Sequence, residues 1–468
     1  MFEIIKLSDL EDLEDITEQL VFDDEPSIFT EEYAVELVET ALYLMDDYIT
    51  HHPTAISEPN FHEILLEDIK EIFYVQMEDH IDDLDIGDDI EDDMNELLED
   101  AFNIFITTFH PERSIEYNVI NIKGNSQNEI NLIEGKIQKL REIPQPIQRT
   151  PEWYQFRWNL ITASNAWKAF ETQSAINQLV YEKCQPLKTF DDNGDEEKMV
   201  NTNSPMHWGQ KFEPLSVMIY EDMYNSKVED FGCIKHPTYN FLGASPDGII
   251  IESSTGRYGR MLEIKNPVSR EITGVPKKEY WVQMQLQMEV CDLDECDFLE
   301  TKFSEYPDYD SYRDDSAIAN DLNGVEFKSY VKSANNSNKG TIIYFHTKER
   351  KPFYLYQPLN LYLADDIAKW EEENIEKYES EPFNYSFLKF IYWKLDKLSC
   401  VLVLRNKDWF KNNIGQLEKV WKTIEAERVT GFEHRAPVKK QKKEPFKPFF
   451  EKESQGCLLK FNKIIKID

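Results

Sequence analysis

The sequence predicts a mixed α/β (α+β) fold preceded by an acidic, all-helical unit. Apolar residues recur at helical spacing through the first 110 positions. From about residue 151 to residue 430 helical and strand patterns alternate. Charge, finally, is concentrated at one end of the chain. A chain of 468 residues is long enough for two or three domains, each with its own core.

A net charge of −38 argues at first against a polyanionic partner. Its distribution reverses that reading. Residues 1–100 carry 34 Asp and Glu against only Lys6 and Lys70, a net of −32. The other 368 residues carry −6, with 49 Lys and Arg free to form local patches. No apolar run is long enough to span a membrane. The start, Met1-Phe2-Glu3-Ile4-Ile5-Lys6, turns acidic at once and lacks a charged-then-apolar leader. Six cysteines without a close C-x-x-C pair indicate reduced thiols. The expectation is an intracellular protein, cytoplasmic, nuclear or virion-associated, and not a secreted one.

In the first 110 residues, Val35, Val38, Leu42, Met45 and Ile49 form a stripe behind Thr30, a candidate N-cap with Glu31 and Glu32 in the first turn. Leu65, Ile69, Ile72 and Phe73 form a second stripe, and Ile90, Met94, Leu97, Leu98, Ala101 and Phe105 a third. Three such stripes can bury one another as a small acidic bundle. Residues 111–150 read as a connector closing with Pro144, Pro146 and Pro151. The mixed domain spans 151–430, with polar surface insertions from Asp191 to Ser204 and from Ser304 to Gly340. A tail over 431–468 includes Lys439-Lys440-Gln441-Lys442-Lys443.

Chemistry concentrates between Trp153 and Met288. Ser245-Pro246-Asp247-Gly248 separates two short apolar runs, Phe241–Ala244 and Ile249–Glu252, which reads as a β-hairpin. Met261–Ile264 reads as another strand, on which Glu263 and Lys265 point to the same face. An Asp at a strand end, with Glu and Lys on one face of its neighbour, suits metal-assisted phosphodiester hydrolysis. Carboxylates hold Mg²⁺ through oxygen, and a lysine orients water and offsets charge on the phosphorane. By itself the motif is weak, because a solvated hairpin with a Glu–Lys ladder has the same pattern. Three further features add to it. Glu213, in a helix after Ser204-Pro205, is a candidate third carboxylate. Arg157 precedes Ser164, read as the N-cap of a helix through Ala169, and that pair suits a terminal phosphate. On a helix Tyr280, Gln283 and Gln287 share a face, whereas Gln285 is turned roughly 200° from Gln283.

The order of Trp153, Arg157, Ile161-Thr162-Ala163-Ser164, Trp208-Gly209…Glu213, Ser245-Pro246-Asp247-Gly248, Leu262-Glu263-Ile264-Lys265 and Tyr280…Gln283…Gln285 resembles the phage-lambda-type alkaline exonucleases and YqaJ-like viral recombinase nucleases. The resemblance covers roughly Pro151 to Phe303 and, more weakly, Val401 to Glu427. It implies a restriction-endonuclease-like PD-(D/E)XK core, a central mixed β-sheet flanked by helices, and two Mg²⁺ ions, with Mn²⁺ as a substitute. Asp247 would bridge the ions, Glu263 and the Ile264 carbonyl would ligate one, and Glu213 would assist the other. Lys265 would activate the water and Gln283 would stand near the nucleophile. Arg157 and Ser164 would form a 5′-phosphate pocket, with Tyr280 among the DNA contacts. The implied activity is a 5′→3′ exonuclease on double-stranded DNA ends in viral recombination, replication or end-processing, with a single-strand-annealing protein as partner. The phage type is a trimeric ring; the acidic bundle and the Ser304–Gly340 insertion have no counterpart there and leave oligomeric state open.

Blander readings stand beside these. Trp153 and Trp208 read as core anchors, His207 as a satisfied histidine. Cys184, Cys233, Cys291, Cys296 and Cys400 lack the compact spacing of an iron–sulfur site and read as buried thiols. The lysine run suits a phosphate-contacting tail, a nuclear address or a solvated end equally. The bundle suits solubility, docking of a basic partner, or a cover for the DNA groove. Two competing functions remain: a structure-specific or non-specific endonuclease of the same fold, and a non-catalytic DNA-binding scaffold. The intact Glu213, Asp247, Glu263 and Lys265 set argues against the scaffold.

Overall fold

The computed structural model describes residues 29–52, 61–81, 87–105, 126–148, 150–187, 201–202, 204–254, 256–320 and 326–437. The lysine run at 439–443 and most of the 191–204 stretch lie outside the described residues.

The N-terminal region forms helices α1 (Glu31–His51), α2 (Phe61–Ile81) and α3 (Gly87–Ile104). Thr30 caps α1, its hydroxyl accepting from the Tyr33 N–H at 3.4 Å. Val38, Leu42 and Met45 pack with Leu65, Ile69 and Phe73 and with Met94, Leu97, Leu98, Ala101 and Phe105. None of the described carboxylates on these helices is buried, which is why so acidic a segment can still bury a core. Two stripe members depart from expectation: Val35 is half-buried and Ile72 is exposed. Phe73, one position on, takes the inward place and turns Ile72 outward. The side chains of Ile49 and Ile90 lie outside the described residues.

Within the stretch read as a connector lies α4 (Gln127–Glu142), started by a capping box in which the Ser126 N–H donates to Glu129 at 2.7 Å. Ile137 and Leu140 enter the main core. There follow α5 (Pro151–Trp158), β1 (Ile161–Thr162), α6 (Ala163–Ala166), α7 (Gln173–Cys184) and α8 (Pro205–Tyr224), then β2 (Ser226–Glu229), β3 (Ile234–Lys235), β4 (Leu242–Ala244), β5 (Gly248–Ser253) and β6 (Met261–Lys265). The chain continues through α9 (Lys278–Cys291), β7 (Glu295–Glu305), α10 (Tyr309–Asp314), β8 (Ala317–Asn320), β9 (Glu326–Ser329), β10 (Lys339–His346) and β11 (Pro352–Tyr356). Last come α11 (Ala364–Glu379), β12 (Ser386–Leu404) and α12 (Lys407–Thr430).

The central sheet runs β11-β10-β12-β7-β6-β5-β2, and β6–β7 is its parallel pair in an otherwise antiparallel order. It is the central mixed sheet flanked by helices that the sequence predicts. On one face, Trp281, Met284 and Met288 of α9 and Leu417, Val420 and Ile424 of α12 pack with Met261, Phe298 and Val401. On the other, Phe212, Leu215 and Ile219 of α8 meet Phe303, Ile342 and Trp393, and Tyr220 and Tyr224 meet Leu262, Ile264 and Leu299. Strand alternation therefore turns Leu262 and Ile264 toward α8, and Glu263 with Lys265 toward α9.

Two expectations need correcting. Phe241–Ala244 and Ile249–Glu252 do not form a hairpin. Strand β4 pairs with β1 and β3 in a separate three-stranded sheet, while β5 pairs with β2 and β6. Ser245-Pro246-Asp247 is thus a step between sheets, and apolar runs on both sides are satisfied by different partners. The Ser304–Gly340 stretch is also more than a polar surface excursion. It carries α10, β8 and β9, and buried Lys339 donates to the Tyr312 and Asp315 carbonyls and to Ser316.

Candidate active site

Strand β6, the step preceding β5, and α9 meet at one place. The Asp247 N–H donates to the Leu262 carbonyl at 3.1 Å, and the Asp247 carboxylate accepts the Ile264 N–H at 2.7 Å. Backbone on both sides of Glu263 therefore fixes Asp247. Gly248 follows because the chain passes close to β2: a Cβ there would lie 2.2 Å from Val228 Cγ1.

Glu263 is fully buried and its carboxylate is held by three donors. Lys265 contacts Oε1, Gln283 donates to Oε1 at 2.7 Å, and Gln287 donates to Oε2 at 2.7 Å. Gln287 also reaches the Ser245 carbonyl at 3.2 Å, tying the step that carries Asp247 to the strand that carries Glu263. Gln285 faces away, donating to the Leu404 carbonyl and accepting from the Asn406 N–H. Gln283 and Gln285 thus turn to different faces of α9, as helical spacing predicts.

Burial, and then the charges of Glu263 and Glu213, push the Asp247 carboxyl well above the ordinary carboxylate range, against the pull of Lys265 and the Ile264 N–H. For Lys265, burial works against the charge, but Glu263 and Asp247 more than compensate and hold the ammonium protonated above its usual range. Its Nζ lies 5.0 Å from the Tyr280 ring centre, and the Arg270 guanidinium lies 5.7 Å from the same ring. Glu213 is exposed on α8 and acts on Asp247 through its charge. Among the described residues, no three His, Cys, Asp or Glu side chains stand close enough together to hold a metal ion as they are. The Ile264 N–H is committed to Asp247.

Arg157 occupies the last turn of α5, its guanidinium 4.6 Å from the Trp153 ring centre. The Lys183 ammonium donates to the Arg157 carbonyl at 2.9 Å, and Arg428 donates to the carbonyls of Trp158 and Lys183. Burial, with Arg157 and Arg428 nearby, lowers the Lys183 ammonium to about 7. Ser164 requires a correction. Thr162 is the N-cap of α6, and Ser164 lies within that helix, exposed, its hydroxyl 3.4 Å from that of Thr162. The cap moves because Asn165, three positions after Thr162, accepts the Thr162 N–H at 3.1 Å. Strands β1 and β4 are parallel, with Thr162 beside Gly243, so Ser164 and the Ser245–Asp247 step leave the small sheet at the same end.

Trp208 packs in the α8 core, and His207 bonds to the Tyr354 hydroxyl at 2.7 Å. Cys184, Cys233, Cys291, Cys296 and Cys400 are buried free thiols. Helical spacing puts Gln287 on the site face without marking its contact to Glu263, and no local pattern marks Asn266. That amide follows Lys265 and donates to Ser216 at 2.8 Å and Thr301 at 2.6 Å, pinning the strand end. Its partners lie 50 and 35 residues away in sequence, so only adjacency to Lys265 hinted at it.

Fold and site together define a mixed-sheet α/β protein with a buried carboxylate–lysine centre where β5 and β6 meet. Residues 152–294, the stretch that builds this centre, match the YqaJ-like viral recombinase domain. The chain is also similar to the uncharacterized protein R354 of Acanthamoeba polyphaga mimivirus, 29% identical over 314 residues. That match covers 61% of this chain and 54% of R354, so the chain spans about half the length of this curated relative. Two solved structures of the alkaline exonuclease LHK-Exo are similar as well: one from Laribacter hongkongensis, 18% identical, and one in complex with dAMP, 19% identical. Both have a TM-score of 0.31 and cover 61% of this chain and 95% of theirs.

Proposed function

We propose that this protein is a divalent-cation-dependent deoxyribonuclease, specifically a 5′→3′ exonuclease acting on double-stranded DNA ends. One observation carries the reading. Asp247, in the step leading into β5, converges with Glu263 and Lys265 of neighbouring β6 within the residues that match a viral recombinase domain. The donor set suits a hard cation: carboxylate oxygens of Asp247 and Glu263, with Glu213 nearby and the Ile264 carbonyl on the same strand. The crowding of like charge at Asp247 is what a divalent cation relieves. Such an ion, Mg²⁺ or Mn²⁺, supplies Lewis acidity and a bound water of lowered pKa.

The chain's own residues do the rest. Gln283 and Gln287 hold Glu263 in a single orientation. Lys265, kept protonated, orients the attacking water and offsets negative charge accumulating on the phosphorane. Tyr280 confines the ammonium from one side. Arg157 and Ser164 receive the 5′-phosphate and set which end is engaged. The setting proposed is viral-type recombination or end-processing, with a single-strand-annealing protein as partner. No helix among the described residues is long and apolar enough to cross a membrane.

Two expected results test the parts. Gln287→Leu leaves Glu263 short of one donor and unties it from the Ser245 step, so the turnover rate should fall about 10–100-fold. A wild-type rate for this variant would show that the contact is idle. Arg157→Ala should reduce the preference for 5′-phosphate over 5′-hydroxyl ends about tenfold or more, a loss on the scale of a charge-assisted hydrogen bond. An unchanged preference removes Arg157 from the pocket. Digestion of linear duplex beside a covalently closed circle tests the whole reading. Cutting of the circle replaces exonuclease with endonuclease.

A further inference from the structure

Beyond Lys265 the same face of the sheet continues through Glu300 to two lysines, Lys302 and Lys397. Lys265 of β6 stands beside Glu300 of β7 in the parallel register. Glu300 is buried, forms an ion pair with Arg270 at 2.5 Å, and also feels the charges of Lys265 and Lys277. Lys302 lies two residues further along β7 and so on the same face. The alternate residues, Thr301 and Phe303, point to the other face, where they meet Ser216 and Phe212 of α8.

Opposite Lys302 in the antiparallel register with β12 stands Lys397, just past a bulge at residues 395–397. Like charges directly opposite on neighbouring strands are destabilising. Among the described residues neither lysine forms an ion pair with a carboxylate. Lys302 is half-buried and Lys397 is exposed, and Lys397 donates to the Ile272 carbonyl at 2.8 Å. That bond draws it against the loop leading from Lys265 to α9. The nearby carboxylate of Asp396 accepts from Ser304 at 2.9 Å. Two like charges set opposite each other, neither ion-paired and both on the face that carries Lys265, form a place where an anion relieves repulsion.

We propose that Lys302 and Lys397 form a phosphate-binding step that carries the DNA backbone across the sheet, away from the Asp247–Glu263 centre. The proposal rests on the nuclease reading and names the path of the substrate that reading requires. Arg270 and Lys277 line the passage between the two places. Phosphate contacts of this kind are independent of base sequence and supply affinity with a steep salt dependence.

Salt titration tests it. Full-length protein is titrated into a short fluorescent duplex, with EDTA present to prevent cutting, and anisotropy gives Kd across a potassium chloride series. For the double variant Lys302→Gln/Lys397→Gln, the magnitude of the log Kd against log salt slope should fall by roughly 1–2, as expected for two lost phosphate contacts. Lys302→Gln alone should lower it by about 0.9. This single variant matters because Lys302 makes no bond to the loop, so loop loosening cannot account for its effect. Lys302→Arg/Lys397→Arg should retain the wild-type slope. A wild-type slope in the glutamine variants overturns the proposal while leaving the nuclease reading in place. Absence of salt-dependent duplex binding by the wild-type protein overturns the proposal as well, whereas the nuclease reading falls only with the digestion of linear duplex.

Discussion

Asp247→Ala is expected to lower Mg²⁺-dependent degradation of linear duplex DNA by about a thousandfold or more. The size of the effect follows from position. Asp247 is the carboxylate that the Ile264 N–H aims and that Glu263 and Glu213 crowd. Stability should respond differently. Asp247→Asn removes one of several crowded like charges while preserving shape, so its metal-free thermal midpoint should equal or exceed that of the wild type. Adding Mg²⁺ should then raise the wild-type midpoint through binding linkage and leave the variant unmoved. A variant that still degrades DNA, or whose midpoint still climbs with Mg²⁺, would place the centre elsewhere.

Asp297→Ala should be the most damaging single change to the fold itself. Asp297 is fully buried on β7 and contacts the Arg257 guanidinium, accepts from Arg260 at 2.9 Å, and accepts from the Tyr220 hydroxyl at 2.6 Å. Arg257 and Arg260 are themselves buried. Removing the shared carboxylate strands the Arg257 guanidinium away from water and leaves Arg260 with Glu295 alone. Breaking a buried pair in this way costs about 3–5 kcal/mol. Against a typical domain stability of roughly 5–15 kcal/mol, that is enough to leave the protein marginal. Urea titration followed by tryptophan fluorescence would measure it. A loss below about 1 kcal/mol would mean that water reaches the arginines and the network is not sealed.

Local patterns reported some parts of this molecule and were silent on others. The acidic bundle was legible because helical periodicity survives any amount of surface charge; Val38, Leu42 and Met45 pack where their spacing put them. Glu263 and Lys265 were legible because strand alternation alone sets their common face. Helical spacing on α9 alone puts Gln283 and Gln285 on different faces, and their contacts differ accordingly. The Ser245–Asp247 step was not legible. Two apolar runs around Pro-Asp-Gly look the same whether they pair with each other or, as β4 and β5 do, with strands elsewhere. Pairing partners are a long-range property. Thr162 displaced Ser164 as the cap through a side chain three positions on, and both residues are capable caps by type. The Lys302–Lys397 pair lies beyond local pattern altogether, because it exists only in the register of β7 against β12.

What is proposed for this chain is end-dependent hydrolysis at the Asp247–Glu263–Lys265 centre. Its most direct test is one digestion series with Mg²⁺: 5′-phosphorylated linear duplex and a covalently closed circle, each treated with wild-type protein and with Asp247→Ala. Wild-type protein is expected to consume the linear duplex and leave the circle intact, and Asp247→Ala to have lost this activity. A nicked or linearised circle, or digestion that survives in Asp247→Ala, would contradict it.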